Sequence, residues 1–193
     1  MTQTWLPVGG LRLQLDRTSR LRSGAGFWRD GGMIVLLPAG LPSREETRLT
    51  GLLVWGLAGR SMSPAAGELA RRLNEEHFRR PLAAVRFRHQ DKRWGSCSAK
   101  GNINLSHRLL TAPAELVQAV LLHELAHLGC LNHGQDYWRE LLAADPSARR
   151  RGAQLAAYGR AWADWWAGRL RALLREGQVR LEPPAGGWPG IIG

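Results

Sequence analysis

The sequence His-Glu-Leu-Ala-His at residues 123–127, followed by His133, places the strongest constraint on how this chain can fold. Residues four apart lie one above the other on a helix, so the imidazoles of His123 and His127 can converge on one cation. His133 offers a third nitrogen ligand, and Glu124 lies beside the site as a candidate general base. Three histidines leave one tetrahedral position open, which metal-assisted hydrolysis requires. The pattern predicts a helix that carries one catalytic zinc ion per chain.

The residues around this motif favour a helix that is buried on one face. Apolar side chains recur there at helical spacing, at Leu116, Val117, Val120, Leu121, Leu125 and Leu128. Gly129 is predicted to end the helix in a left-handed turn, which would bring His133 back toward the metal.

Length and composition fit one globular domain. A chain of 193 residues with 44% hydrophobic residues and nine Trp can bury a sizeable core. The N-terminus lacks a basic region followed by an apolar run, and no segment approaches the ~20 apolar residues of a membrane span. The two cysteines, Cys97 and Cys130, are too few for a disulfide framework. We therefore expect a cytoplasmic protein without membrane contact.

The net charge of +11 points to anionic partners, nucleic acid above all. The indication is weak, because nearly all the basic residues are arginines and a compositional bias of the genome can produce that preference. The excess of arginine is concentrated after residue 148, where few acids accompany it. Nucleic acid remains an open alternative partner beside a polypeptide substrate.

The N-terminal half predicts strands followed by two helices. Residues 11–15 alternate between leucine and polar side chains, and residues 27–37 carry Asp-Gly-Gly at their middle, which indicates a strand and a hairpin. Ser43 begins a capping-box pattern, and Ser63-Pro64 is a second helix start.

An antiparallel strand pair is predicted just before the metal helix. Residues 85–89 and 102–105 both alternate in polarity, and they bracket a loop from Gln90 to Gly101. We expect the second strand to be an edge that aligns an extended peptide by main-chain hydrogen bonds. Its candidate substrate-binding residues are Asn102, Ile103, Asn104 and Leu105.

Two more helices are predicted after the motif. A short one around Tyr137 stops at Asp145-Pro146, and a long one runs from about Arg150 to Arg175 with a tryptophan stripe that belongs to the core. Proline and glycine from Gly177 onward indicate a loose tail. The predicted organisation is one domain over 1–176, with a hairpin region at 8–38, a catalytic core at 83–145, a C-terminal helix at 149–176 and a flexible tail at 177–193.

Several motifs together carry a family resemblance. They are Arg93-Trp94-Gly95-Ser96-Cys97, Gly101-Asn102-Ile103-Asn104-Leu105, Leu109, Pro113, residues 123–128, Asn132-His133 and Tyr137-Trp138. In combination they resemble the YgjP-like metallopeptidase domain, a relative of the SprT-like zinc proteases. The resemblance covers residues 85–145, with a looser match around the N-terminal hairpin and Pro38.

The resemblance implies an α+β fold with a minimal zincin-like core, in which an antiparallel sheet packs on the metal helix and the C-terminus is helical. It also implies zinc ligands at His123, His127 and His133, with Glu124 as the base. The chain departs from the family pattern at Ser106, where Asn is common, and between Pro42 and Leu82, which is more helical than usual. The metzincins share the histidine spacing but need Gly at position 130 and a later Met turn, and every Met here precedes the site.

Other residues are weaker candidates for the site. Arg93 could stabilise negative charge on the substrate, although it begins a segment that looks like a tight structural loop. A fourth thiolate would close the metal, so we expect Cys97 to be a small buried residue. His77, His89 and His107 are scattered without ligand spacing, and no second metal cluster is expected. Tyr137 and Tyr158 are candidate donors to an oxyanion.

The reaction predicted from these residues is zinc-assisted hydrolysis of an amide bond, with Glu124 moving the proton. One alternative is a zinc-dependent hydrolase of nucleotide phosphoanhydrides, which the absence of a Gly-rich phosphate loop disfavours. Another is a DNA-associated SprT-like protease that acts on DNA-bound proteins. A nucleic-acid-binding module with structural zinc is disfavoured, because such sites usually have four protein ligands.

Overall fold

A computed structural model of the chain describes residues 11–182. In chain order its elements are β1 Leu11–Thr18, β2 Ala25–Arg29, β3 Gly32–Pro38, α1 Ser43–His77, β4 Ala84–Arg88, β5 Gly95–Cys97, β6 Asn102–Ser106, a 3-10 helix His107–Thr111, α2 Ala114–Ala126, α3 Gln135–Ala144, α4 Ala148–Glu176 and β7 Gln178–Leu181. The strands come in runs of three before α1 and before α2, with β7 alone after α4, and do not alternate one by one with helices, which confirms the predicted α+β class.

The first sheet has the strand order β2-β3-β1-β7. β2 and β3 form the predicted hairpin, and both residues of its tight turn, Asp30 and Gly31, have positive φ, as a turn matching the twist of the strands requires. The loose-tail prediction is wrong for residues 178–181. There Gly177, with φ of 72°, ends α4, and the chain pairs antiparallel with β1 and buries Leu181. Residues 183–193 of that predicted tail lie outside the described part of the chain.

The second sheet has the order β4-β6-β5 and lies next to α2. β4 and β6 are parallel, so the predicted antiparallel pairing of residues 85–89 with 102–105 is wrong. The connection between them contains β5, which runs antiparallel to β6. This added strand reverses the chain once more, so that β6 returns in the direction of β4.

One helix, α1, runs through the region where two were predicted. Pro64 lies inside it without ending it, although its missing N–H leaves the carbonyl of Arg60 without its helical donor. The hydroxyl of Ser63 donates to the Gly59 carbonyl at 2.7 Å and accepts the backbone N–H of Phe87 in β4 at 3.1 Å. Buried residues on both sides of Pro64, among them Val54 and Ala70, keep the helix on the core, and tertiary packing overrides the local stop signal.

The core lies between α2, the sheets and α4. Leu116, Val117, Leu121 and Leu125 of α2 are fully buried, as their spacing predicted. The aromatic stripe of α4 is buried too, which confirms that it belongs to the core: Tyr158, Trp162 and Trp166. Within residues 11–182, no helix combines the length and apolar character needed to cross a membrane.

Candidate metal centre

The end of α2 and the turn after it bring the three motif histidines together. His123 and Glu124 lie in the last turn of α2, and His127 is its C-terminal cap with φ of −67°. The predicted left-handed turn at Gly129 is wrong, because the chain turns with ordinary backbone angles and the Cys130 N–H bonds to the Ala126 carbonyl at 3.1 Å. His133 then returns to the other two histidines just before α3.

Gly129 instead permits a close approach by another side chain. A Cβ at residue 129 would fall on the guanidinium of Arg80. Arg80 extends across this turn from the segment after α1 and donates to the Glu140 carboxylate of α3 at 2.7 Å. The half-buried ion pair therefore holds the turn from which His133 projects.

The spacing of the three imidazoles fits one tetrahedral metal ion. One nitrogen from each of His123, His127 and His133 lies within 4.8 Å of the others, and the Nε2 atoms of His123 and His133 are 3.3 Å apart. Two ligands bound at zinc distances in a tetrahedral site are about 3.4 Å apart. The three predicted ligands are thus placed to act on one ion, and His133 is the exposed member of the set.

Hydrogen bonds orient two of these rings. Nδ1 of His127 lies 2.9 Å from the Cys130 carbonyl, and Nδ1 of His123 lies 2.6 Å from the hydroxyl of Tyr137. Since a carbonyl only accepts, His127 donates from Nδ1 and its Nε2 keeps a free lone pair. Nε2 of His123 faces His133 and must carry the lone pair if it is to bind the same ion. The proton of this ring then lies on Nδ1, which donates to the Tyr137 hydroxyl. Such partners behind metal-bound histidines fix the ring and raise its basicity.

Burial keeps the imidazoles in the form that binds metal. It lowers the pKa of His123 to about 4, with His127 and His133 contributing further in the same direction. It also lowers the pKa of His127. The neutral rings carry free lone pairs near pH 7, so the donor set fits a borderline cation such as zinc.

Glu124 is the buried carboxyl group of the site. Its side chain is 4% exposed, and burial raises its pKa to about 7, while the nearby Arg93 opposes that rise. Gly95 of β5 lies against it, since a Cβ at residue 95 would come within 2.5 Å of Glu124 Oε1. The backbone of β5 therefore confines the carboxyl group on one side.

A cavity of about 420 Å³ opens beside His123 and Glu124. Its walls are largely apolar and include Trp94, Val120, Trp138, Leu141 and Leu155. Three arginines also line it, Arg93, Arg149 and Arg151, so the predicted candidate Arg93 does face the same space as Glu124.

The predicted edge role of Asn102, Ile103, Asn104 and Leu105 is wrong. They form β6, which is the central strand of its sheet and bonds to β4 on one side and β5 on the other. Ile103 and Leu105 are buried in the core. The edge strand next to α2 is β5, inside the segment that was predicted to be a loop.

Tyrosine roles also differ from the sequence-based interpretation. The hydroxyl of Tyr137 points at the back of His123, and that of Tyr158 is buried and donates to the Arg108 carbonyl at 2.6 Å. Neither arrangement is that of an oxyanion donor. Cys97 is half-buried, and burial raises the pKa of its thiol.

Two of the histidines predicted to be scattered lie together. The rings of His89 and His107 are stacked with centroids 4.3 Å apart, and Asp91 lies beside them. The expectation that no second group of possible ligands exists is therefore wrong. His77 is apart from both groups, near Glu76.

Tyr137→Phe removes the hydroxyl behind His123 while keeping the buried ring. We expect zinc affinity to fall about 10- to 100-fold, as is typical when such a partner is lost, because His123 then loses the hydrogen bond to its Nδ1 that holds its orientation. Competition against a chromophoric chelator measures the change. An unaltered affinity in a folded variant would contradict the orienting role, and Tyr158→Phe, at a buried tyrosine bonded elsewhere, is the matched control.

Comparison with known proteins places this centre in a family. The family model of the YgjP-like metallopeptidase domain matches residues 54–158, which is more than half of the chain. Among solved structures, the chain is similar to the metallopeptidase zymogen of Pyrococcus abyssi abylysin, with 28% identity and a TM-score of 0.42 over 46% of this chain and 89% of that chain. No curated protein matches the chain. The matched segment contains all three histidines and Glu124, and the chain belongs to the YgjP-like metallopeptidase family, whose activity implies a metal ion and a polypeptide substrate.

Proposed function

We propose that this chain is a zinc-dependent peptidase that uses Glu124 as its general base. The observation that carries the proposal is the convergence of three imidazoles at the end of α2, with the buried Glu124 carboxyl group and His123 lining the same cavity. Family membership supports the hydrolysis of peptide bonds. The nitrogen donors support zinc as the ion, with one ion held tightly per chain.

When bound by the three histidines, zinc supplies a Lewis acid that acidifies water, polarises a carbonyl and favours the ionised form of a nearby acid. Glu124 accepts a proton from the attacking water and donates it to the leaving amine. Gly95 keeps the carboxyl group in place during both transfers. Arg93 faces the same cavity and is placed to attract a carbonyl or carboxylate of the substrate.

β5 is the strand that we propose for aligning the substrate. It is an edge of its sheet in the described part of the chain, and Gly95 at its start adjoins Glu124. An extended peptide added to this edge would be held by main-chain hydrogen bonds, which carry little sequence preference. Mapping cut sites in an unfolded protein tests this step, and a single dominant side-chain preference would contradict it.

The zinc prediction concerns stoichiometry. After mild dialysis, elemental analysis should find about one zinc per chain, because one three-histidine site binds tightly. His133→Ala should release that ion, since two imidazoles remain. His77→Ala, at a histidine outside both groups, should retain it. Purified and zinc-supplemented protein that both lack zinc would overturn the assignment.

Glu124→Gln separates metal binding from catalysis. The amide keeps the shape of the side chain but cannot act as a base, so zinc should remain bound while turnover falls by about 10²- to 10⁴-fold or more. Turnover on a denatured protein and zinc content are measured on the same sample. Glu115→Gln, at an exposed carboxylate on the same helix, is the control and should leave both unchanged.

Two outcomes of that experiment would contradict the proposal. Loss of zinc in Glu124→Gln would make the carboxylate a ligand, and full activity would remove Glu124 from the base role. The same pair of proteins, assayed on nucleotides and on denatured protein with and without single- or double-stranded DNA, separates a peptidase from a phosphoanhydride hydrolase. It also reports whether DNA changes the rate.

Gly95→Ala tests the confinement of Glu124. The added methyl group would overlap the carboxyl group, so we expect Glu124 to move and turnover to fall by about 10²-fold, with zinc retained. Gly168→Ala is the control, because a Cβ there meets no other atom within 4 Å. Unchanged turnover in Gly95→Ala would show that the carboxyl group does not depend on this contact.

A further inference from the structure

The group of His89, Asp91 and His107 results from the parallel pairing of β4 with β6. Arg88 and Ser106 are partners at the ends of these strands. The residue that follows each of these two parallel strands is a histidine, so His89 and His107 lie side by side at the end of the sheet. Asp91, two residues later, turns back toward both rings.

The distances between these side chains are close to those of a metal site. Nε2 of His107 lies 3.8 Å from Asp91 Oδ1, and Nδ1 of His89 lies 3.9 Å from Asp91 Oδ2. One ligand atom from each of the three residues lies within 4.8 Å of the others. Ligands on one tetrahedral ion are about 3.4 Å apart, and no pair in the group is more than 4.8 Å apart, so the group must contract by at most about 1.4 Å. The His89 ring must also turn out of its stacked position on His107, because an imidazole lone pair lies in the plane of its ring. The side chains of His89 and Asp91 are exposed and can turn to do this.

His107 is the fixed member of the group. It is 2% exposed and packs against the rings of Trp55 and Trp162. Its Nδ1 atom is buried and has no hydrogen-bond partner of good geometry, although the Arg88 backbone lies close to the ring. Nε2, the ring nitrogen nearer Asp91, can therefore present a lone pair. Burial also lowers the pKa of His107, which keeps the ring neutral near pH 7.

We propose that His89, Asp91 and His107 form a second site for a divalent transition metal ion. Two imidazoles and one carboxylate suit ions such as zinc or cobalt, with water completing the coordination. The site is weaker than the three-histidine centre, because it must contract and because Arg108 places positive charge nearby. The guanidinium of Arg108 itself lies over the Trp94 ring at 4.0 Å.

A metal ion at this site would tie a loop to the core. Asp91 belongs to the connection between β4 and β5, and His107 belongs to the buried 3-10 helix. Arg93 and Gly95, which face or adjoin Glu124, follow Asp91 by two and four residues. Occupancy would therefore restrain the backbone that leads into the catalytic centre.

The test is a titration of the metal-free protein with zinc, followed by equilibrium dialysis and elemental analysis. We expect wild-type protein to bind two ions, the second at least about tenfold more weakly than the first. His89→Ala and Asp91→Asn should each reduce the total to one tightly held ion. His77→Ala should still bind two.

In a His133→Ala variant, zinc binding at the second site can be measured without a tightly held ion at the proposed catalytic site. Zinc should still bind at the second site and raise the melting temperature, and adding His89→Ala should abolish that rise. His89 and Asp91 are exposed, so these substitutions spare the core. One ion per wild-type chain at saturation would overturn the proposal. A second ion that persists in both His89→Ala and Asp91→Asn would also overturn it, as an adventitious ion only.

Discussion

The cost of placing polar groups inside an apolar core governs the structure around the end of α2. That helix is buried along most of its length, yet its last turn carries Glu124 and His123. An unpaired polar group in such a place is expensive, so each one needs a partner or a cavity. The Tyr137 hydroxyl hydrogen-bonds to His123, the Cys130 carbonyl accepts a hydrogen bond from His127, and Glu124 lies between the cavity and Gly95. The rest of the fold places these partners.

Local sequence patterns were enough to predict the elements whose signals lie within one turn or one hairpin. The Asp30-Gly31 turn, the apolar face of α2 and the aromatic stripe of α4 were all predicted from spacing. Features decided by distant residues were not. Pro64 reads as a helix start, but Ser63 bonds to both Gly59 and Phe87 and the flanking residues are buried, so α1 continues. Likewise, polarity alternation does not specify strand direction. The extra strand β5 between β4 and β6 makes those two strands parallel instead of antiparallel.

The candidate site shows the same division. The motif itself predicted which three imidazoles converge, because their separation is set by one helix and one short turn. The role of Tyr137 depends on how α3 docks against α2, and a sequence offers no measure of that. The pairing of His89 with His107 depends on strand register, which placed two histidines from distant positions beside each other. A scan for ligand spacing along the chain cannot find such a pair.

The ion pair between Arg80 and Glu140 adds a requirement that the histidine motif does not contain. The Arg80 side chain packs over Gly129, and the turn beneath it leads to His133. The turn that leads to His133 is therefore held in part by the segment after α1, far upstream in the sequence. A relative could keep every histidine of the motif and still lose the shape of its metal centre through a change in this ion pair. The presence of the motif and the integrity of the centre are separate properties of the chain.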